Sequence, residues 1–210
     1  MIRVLIADDF PIIRQGIIQT LAETGDIQAV DEVGSGRELI DKIQEKDYDV
    51  IVLDISMPGR GGLETLKQIK IIKPKIPVLI LSMHPEDQYA IRAMKSGASG
   101  YVNKGKDIGE LVEAIRRVAS GRKYVSETLA ENLAMAIDQN YTGPLHKSLS
   151  DREFEVFRKI ASGKTVSEVA DQMALSVKTV STYRSRILLK MSMKNNAELT
   201  RYAIQNAIVE

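Results

Sequence analysis

Val50-Ile51-Val52-Leu53-Asp54 is the stretch whose reading decides the fold. An uninterrupted apolar run of this length is what a strand buried on both faces needs, and Asp54 closes it. The form recurs along the chain. Ile2-Arg3-Val4-Leu5-Ile6-Ala7 is closed by Asp8 and Asp9, while Val78-Leu79-Ile80-Leu81 and Gly100-Tyr101-Val102 are followed by Ser82 and by Asn103-Lys104. Longer helical patterns separate the runs. Strands are predicted near 2–7, 27–33, 50–53, 77–81 and 99–102, and helices near 11–23, 35–46, 62–73, 86–96 and 107–120. The alternation predicts an α/β domain, a (βα)5 doubly wound parallel sheet. Right-handed crossovers aim every strand's carboxyl end the same way, and ligands of open α/β sheets bind at those ends. Three acids, one hydroxyl and one ammonium therefore converge at a single edge. That is a site for a hard divalent cation such as Mg²⁺ and for a phosphoryl group, whose charge a lysine balances.

Helix faces follow from spacing. Ile12, Ile13, Ile17, Ile18 and Leu21 lie at helical intervals in the first helix, and Ile108, Leu111, Val112, Ile115 and Val118 make one stripe in the fifth. Pro58-Gly59-Arg60-Gly61-Gly62 predicts a mobile turn just past Asp54, with glycines that keep that rim open. Beyond residue 121 the pattern changes. Ser126 to Ile137 reads as one more amphipathic helix carrying Leu129, Leu133 and Ile137, and the polar, turn-rich 138–144 reads as an interdomain connection. The expected division is 1–121, a linker with a short helix over 122–146, and a second domain over 147–210.

The second domain reads as small and all-α, with helices near 151–162, 166–173, 176–191 and 196–208. Ser150 and Glu153 have capping-box spacing. The break Ala174-Leu175-Ser176 joins a short helix to a longer one whose inward set is Val177, Val180, Ile187, Leu188 and Met191. Outward the longer helix shows Lys178, Thr179, Ser181, Thr182, Ser185 and Arg186, a polar and basic face on a helix-turn-helix. The final helix carries Leu199, Tyr202, Ala203 and Ile208, more apolar surface than one short cover needs, which suggests a second interface.

Composition narrows the function classes. There is no cysteine, which excludes disulfides, thiolate catalysis and zinc–thiolate sites. His84 and His146 are the only histidines, so a histidine-rich metal site is excluded too. The apolar start of the chain is too short for a signal peptide. No stretch approaches the ~18 apolar residues of a membrane span, so no membrane partner is expected and the reducing cytoplasm is the natural compartment. Residues 1–146 hold 18 Lys and Arg against 21 Asp and Glu, whereas 147–210 hold 11 against 7. The second part is thus the basic one, as a domain that meets a polyanion should be.

Both halves resemble a known family. Asp8/Asp9, Asp54-Ile55-Ser56-Met57-Pro58-Gly59, Ser82 and Gly100-Tyr101-Val102-Asn103-Lys104 resemble the receiver domain of bacterial response regulators. Leu149-Ser150-Asp151-Arg152-Glu153, Ile160-Ala161-Ser162-Gly163-Lys164, Glu168-Val169-Ala170 and Leu175-Ser176-Val177-Lys178-Thr179-Val180 resemble the LuxR-type DNA-binding domain. Together they are similar to the NarL/FixJ class. The resemblance implies that Asp54 is the phosphoryl acceptor, and that Asp9, Asp54 and the Ser56 backbone carbonyl bind Mg²⁺, with Asp8 reaching it through water. It implies that Lys104 and Ser82 meet phosphoryl oxygens and that Tyr101 is a switch residue swinging inward as Ser82 moves. Ser56 and His84 flank the attacking water's route in such receivers. The implied partners are a sensor histidine kinase, double-stranded promoter DNA and a second copy of the chain on activation, with RNA polymerase open as a further one.

Two other readings share the acid cluster. A Mg²⁺-dependent phosphatase or phosphotransferase with an Asp nucleophile typically carries a second Asp two residues on, where this chain has Ser56. A receiver-like domain that dimerises and binds DNA without phosphorylation has no use for the intact acid, hydroxyl and lysine set.

Overall fold

The structure, a computed structural model, describes residues 1–57, 61–105, 107–135 and 144–209. Its contacts divide the chain into two units, Met1–Met135 and Ala136–Glu210. In the first unit β1 (Ile2–Ala7), β2 (Ile27–Val33), β3 (Val50–Asp54), β4 (Val78–Ser82) and β5 (Gly100–Asn103) alternate with helices. These are α1 (Pro11–Ala22), α2 (Gly36–Glu45), α3 (Gly62–Ile72), α4 (Glu86–Lys95) and α5 (Ile108–Ala119). The strands form one parallel sheet in the order β2-β1-β3-β4-β5. The order turns back between β1 and β3, where a doubly wound sheet opens its crevice. Ala7 pairs with Leu53, so Asp8 and Asp54 leave neighbouring strands at the same level.

Burial on both faces explains the unbroken apolar runs. Val4, Ile6, Val50, Val52, Leu79 and Leu81 share one core with Ile17 and Leu21 of α1 and with Leu111, Ile115 and Val118 of α5. The alternate residues Leu5, Ile51, Leu53 and Ile80 are equally buried. Each such side chain contributes about 1.5–3 kcal/mol, so packing of the sheet is what fixes the strand ends. Two residues depart from the expected stripes. Ile12 is 83% exposed, because α1 turns it away from the seam held by Ile17 and Leu21. Ile108, the first residue of α5, is also exposed.

Gly62 has a different role from the one its turn suggested. A Cβ there would lie 2.2 Å from Ile55 Cα and 2.6 Å from the Asp54 carbonyl oxygen. The missing side chain lets α3 press against the backbone that carries Asp54, so this glycine closes the packing and does not hold a rim open. Pro58, Gly59 and Arg60 of the same turn lie outside the described residues.

Residues 122–135 complete the first unit, packing beside β5 and α4. The Tyr124 N–H donates to Ser99 O at 2.9 Å and Tyr124 bridges Gly100, whose Cβ would meet Tyr124 O at 2.6 Å. In α6 (Glu127–Met135), Leu129 is buried and its N–H donates to Ser126 Oγ at 3.0 Å. The Ser126 hydroxyl in turn donates to Glu86 Oε2 at 2.7 Å. Ile137 and the turn-rich connection that follows it lie outside the described residues, apart from Pro144.

The second unit has a 3₁₀ turn at Leu145–Ser148 and then α7 (Asp151–Ala161), α8 (Val166–Met173), α9 (Val177–Lys190) and α10 (Asn196–Gln205). Ser150 and Glu153 complete a capping box, and Thr165 with Glu168 makes another at the start of α8. Ala174, with φ 52°, turns the chain sharply between α8 and α9. Phe154, Phe157, Val169, Val180, Ile187 and Leu199 are buried together as the centre of this bundle. Val177, expected inward, is 51% exposed because it opens α9 just past the turn, and Leu188 is half-buried. Of the expected set, Leu199, Ala203 and Ile208 are buried within their own unit and supply no spare surface, while Tyr202 is half-buried with its hydroxyl 3.0 Å from His146 Nδ1; the large apolar residue exposed on α10 is Ile204. Among the described residues no helix is long and apolar enough to cross a membrane.

Candidate functional site

At the carboxyl edge of the first sheet the structure brings Asp8, Asp9, Asp54 and Lys104 together. Lys104 Nζ lies 2.8 Å from Asp54 Oδ2 and 2.5 Å from Asp8 Oδ2, and the side chains of all three are almost fully buried. The contact with Asp54 is a directed hydrogen bond, whereas that with Asp8 is an ion pair lacking hydrogen-bond angles. Asp54 Oδ1 accepts the Ser56 N–H at 2.9 Å. Asp8 is held further by its N–H, which donates to Val33 O at 3.1 Å, and by its Oδ1, which accepts the Phe10 N–H at 2.8 Å.

Electrostatics follow from one ammonium among three carboxylates. Burial pushes the Asp54 carboxyl above the usual range, the Asp8 charge adds to that, and Lys104 opposes both. For Lys104 burial acts against the charged form, but its bonds to Asp54 and Asp8 prevail and raise its pKa. The lysine is therefore charged at every physiological pH.

The donor set fits a hard cation. One ligand atom each from Asp8, Asp9 and Asp54 lies within 4.8 Å of the others. Asp9 Oδ1 is buried with no hydrogen-bond partner among the described residues, an arrangement that costs about 1–3 kcal/mol unless something satisfies it. Oxygen-only ligands at the mouth of a sheet suit Mg²⁺, which keeps several waters.

The neighbouring strands contribute the rest. Ser82 is fully buried; its Oγ accepts the His84 N–H at 3.1 Å and its hydroxyl is hydrogen-bonded with the Tyr101 side chain. Lys104 N–H donates to Ser82 O at 2.8 Å. Tyr101 is already buried, and its hydroxyl donates to His84 O at 2.8 Å. Asn103 Nδ2 donates to the same oxygen at 3.0 Å, and Ser56 Oγ lies 3.3 Å from His84 Nε2. Three participants escaped the reading of the sequence. Asn103 stood out only as the neighbour of Lys104, although its polar side chain at a strand end was a signal. Arg14 and Glu32 form an ion pair at 2.9 Å beside Asp8; pairing across β2 and α1 is invisible without the register.

In the second unit α9 presents Lys178, Ser181, Thr182, Ser185 and Arg186 to solvent, with Thr179 half-buried. Thr179 N–H donates to Ser176 Oγ at 3.0 Å and its hydroxyl lies 2.7 Å from the same atom, so it is engaged at the helix cap. Thr182 and Ser185 donate back to Lys178 O and Ser181 O. Two further cations of α9 are engaged within the unit: Arg184 donates to Asn196 Oδ1 at 2.6 Å, and Lys190 pairs with buried Glu153 at 2.6 Å.

Comparison with known proteins bears on both units. Residues 4–116 match the family described as "Response regulator receiver domain", and residues 147–203 match "Bacterial regulatory proteins, luxR family". The chain is similar to Response regulator GacA of Pseudomonas aeruginosa, with 36% identity over 212 residues covering 100% of this chain and 99% of that one. It is 35% identical over 209 residues to Response regulator UvrY of Escherichia coli K12, covering 99% and 96%. Among solved structures it resembles RcsB from Salmonella enterica serovar Typhimurium bound to promoter P1flhDC in the presence of the phosphomimetic BeF3⁻. The TM-score is 0.70 at 27% identity, with 96% and 97% of the two chains covered.

Proposed function

The chain belongs to the NarL/FixJ class of response regulators, a receiver joined to a LuxR-type DNA-binding domain; from that premise we propose that a partner sensor histidine kinase phosphorylates Asp54, that this promotes dimerisation, and that it thereby controls promoter binding and transcription. The family is one of transcription regulators, not of classical enzymes. The observation that carries the reading is the single ammonium of Lys104 shared by Asp54 and Asp8 beside the orphaned Asp9 oxygen. A carboxylate nucleophile, a charge-balancing donor and a cation-binding pair stand there together.

Asp8, Asp9, Asp54 and the Ser56 carbonyl would hold Mg²⁺, which when bound offsets the charge of the clustered carboxylates and of the transferring group. An Asp54 oxygen bonds to phosphorus as the bond from phosphorus to the kinase's histidine nitrogen breaks, and that nitrogen recovers a proton. Lys104 then pairs with one phosphoryl oxygen and the Ser82 hydroxyl donates to another. Tyr101, bonded to the His84 carbonyl in the same loop, acts as the switch residue that ties this loop to β5. In the DNA-binding part, residues 147–210, the α9 face of Lys178, Thr179, Ser181, Thr182, Ser185 and Arg186 enters the major groove. The RcsB structure combines promoter DNA with a phosphomimetic, which supports the pairing of these two activities.

Incubation with Mg²⁺ and acetyl phosphate tests the reading. Intact mass should rise by ~80 Da, the mass of one phosphoryl group, and light scattering should show a larger particle. An Asp54→Asn protein that gains the same mass would refute the assignment, and omission of Mg²⁺ should abolish the gain.

A further inference from the structure

The Asp8–Asp9 peptide is held from outside the acid cluster. Arg14 Nη1 donates to the Asp8 carbonyl oxygen at 2.5 Å, and Arg14 Nε donates to Glu32 Oε2 at 2.9 Å. The other Glu32 oxygen accepts Gln15 Nε2 at 3.1 Å, so both carboxylate oxygens are occupied. Glu32 sits on β2, where it pairs with Ile6, one residue before the end of β1. The result is a strut from the edge strand through α1 to the one peptide plane that joins the two acids.

That plane decides where Asp9 points. Asp8 itself is tied down by Val33 O, by the Phe10 N–H and by Lys104. Asp9 has no comparable restraint, and its buried Oδ1 is unsatisfied among the described residues. A rotation of the Asp8–Asp9 peptide would swing Asp9 away from Asp54 while leaving Asp8 in place. The Phe10 N–H on Asp8 Oδ1 restrains the far side of Asp9, and Arg14 grips the carbonyl oxygen of the peptide itself.

We propose that Arg14, braced by Glu32, is a positioning residue for the divalent cation: it sets the Asp8–Asp9 peptide so that the Asp9 carboxylate meets those of Asp8 and Asp54. The inference rests on the Mg²⁺ reading above. Outer partners of this kind typically change metal affinity 10–100-fold when removed, without touching the metal. Arg14 and Glu32 together add no net charge, so the effect is one of orientation.

Isothermal titration calorimetry with Mg²⁺ on the full chain tests this, alongside labelling by acetyl phosphate over a range of Mg²⁺. Arg14→Met should weaken Mg²⁺ binding about 10-fold or more, and saturating Mg²⁺ should restore the wild-type extent of labelling. Glu32→Ala, which leaves the guanidinium but removes its brace, should weaken binding by a smaller factor; it also serves if Arg14→Met does not fold. Glu32→Gln keeps an acceptor for Arg14 and should restore most of the affinity. Wild-type affinity in both Arg14→Met and Glu32→Ala overturns the strut while the metal site stands. A labelling defect that persists at saturating Mg²⁺ also overturns it, since the loss is then one of general structure. A wild-type chain that takes up no Mg²⁺ overturns the metal reading itself.

Discussion

Replacing Lys104 by methionine isolates what the shared ammonium contributes. Asp8 and Asp54 are each 1% exposed, and Lys104 is the cation within reach of both. Methionine fills a similar volume, so the loss is electrostatic. Removing one partner from a buried ion pair costs about 3–5 kcal/mol. With a urea m-value of about 2 kcal/mol per M for a domain of this size, the receiver's midpoint should fall by roughly 1.5–2.5 M at pH 8. The stranded carboxylates have a way out, which is to bind a proton. Burial already raises the Asp54 pKa, and without Lys104 only the Ser56 N–H opposes it. A folded-state pKa above the unfolded value gives stability that is complete below the unfolded pKa and lost as pH rises through the folded one. The variant should therefore recover much of its loss as pH falls from 8 to 5, and gain more over that range than the wild type, where Lys104 opposes the rise. Mg²⁺ should also recover it, because a cation that binds only the folded state stabilises it by mass action. Urea titrations at the two pH values, with and without Mg²⁺, read all three effects. A Lys104→Met protein with the wild-type midpoint at pH 8, or one equally destabilised at pH 5, would show that the ammonium does not neutralise this cluster.

The remaining tests concern the site's lifetime and the second unit. Ser56→Ala and His84→Ala should each change the rate at which phosphoryl-Asp54 is lost, since their side chains stand 3.3 Å apart beside Asp54; intact mass followed over time checks this, and unchanged rates remove their role. Lys178→Ala should weaken promoter binding by roughly 1–3 kcal/mol and relax preference at one base pair if Lys178 reads a base. If it touches only phosphate, affinity should fall evenly across sequences and the salt slope should drop by about one. Wild-type binding and slope by fluorescence anisotropy would place α9 elsewhere. For Glu153, burial pushes its pKa up, but Lys190 and the Ser150 N–H and hydroxyl prevail and hold it below 4.5. Its stabilisation is accordingly present above pH 4.5 and fades as pH falls through the depressed value. Lys190→Met should cost about 1 kcal/mol at pH 7, little more because the lysine is partly exposed, and should move acid unfolding of this unit to higher pH. Circular dichroism during acid titration reads that shift.

The parts legible in the sequence are those where one residue's chemistry and its distance along the chain suffice. Continuous apolar runs place β1, β3 and β4 because strands buried on both faces have no polar alternation to mislead, whereas β2, at the sheet edge, is partly polar and half-exposed. Asp54 and Lys104 follow as the residues that close β3 and leave β5. Ser150 announces α7 because its partner Glu153 is local. What escaped depends on register or on space. Arg14 meets Glu32 only because β2 lies beside β1, and Glu32 reads in isolation as one more solvated acid. Gly62 reads as a loose turn residue until the backbone of Asp54 and Ile55 is seen to occupy the place of its Cβ. Val177 shares the helical phase of a core residue but opens its helix, where no neighbouring turn covers it. The same reasoning bears on the apolar face expected of α10. Leu199, Ala203 and Ile208 are absorbed by α7 and the chain end, so any contact there must be built on Ile204 and its neighbours Thr200 and Arg201. An interface with so little apolar surface would be weak alone, so the dimerisation proposed above would have to draw its strength from the receiver, where phosphorylation would change the charge of the acid cluster.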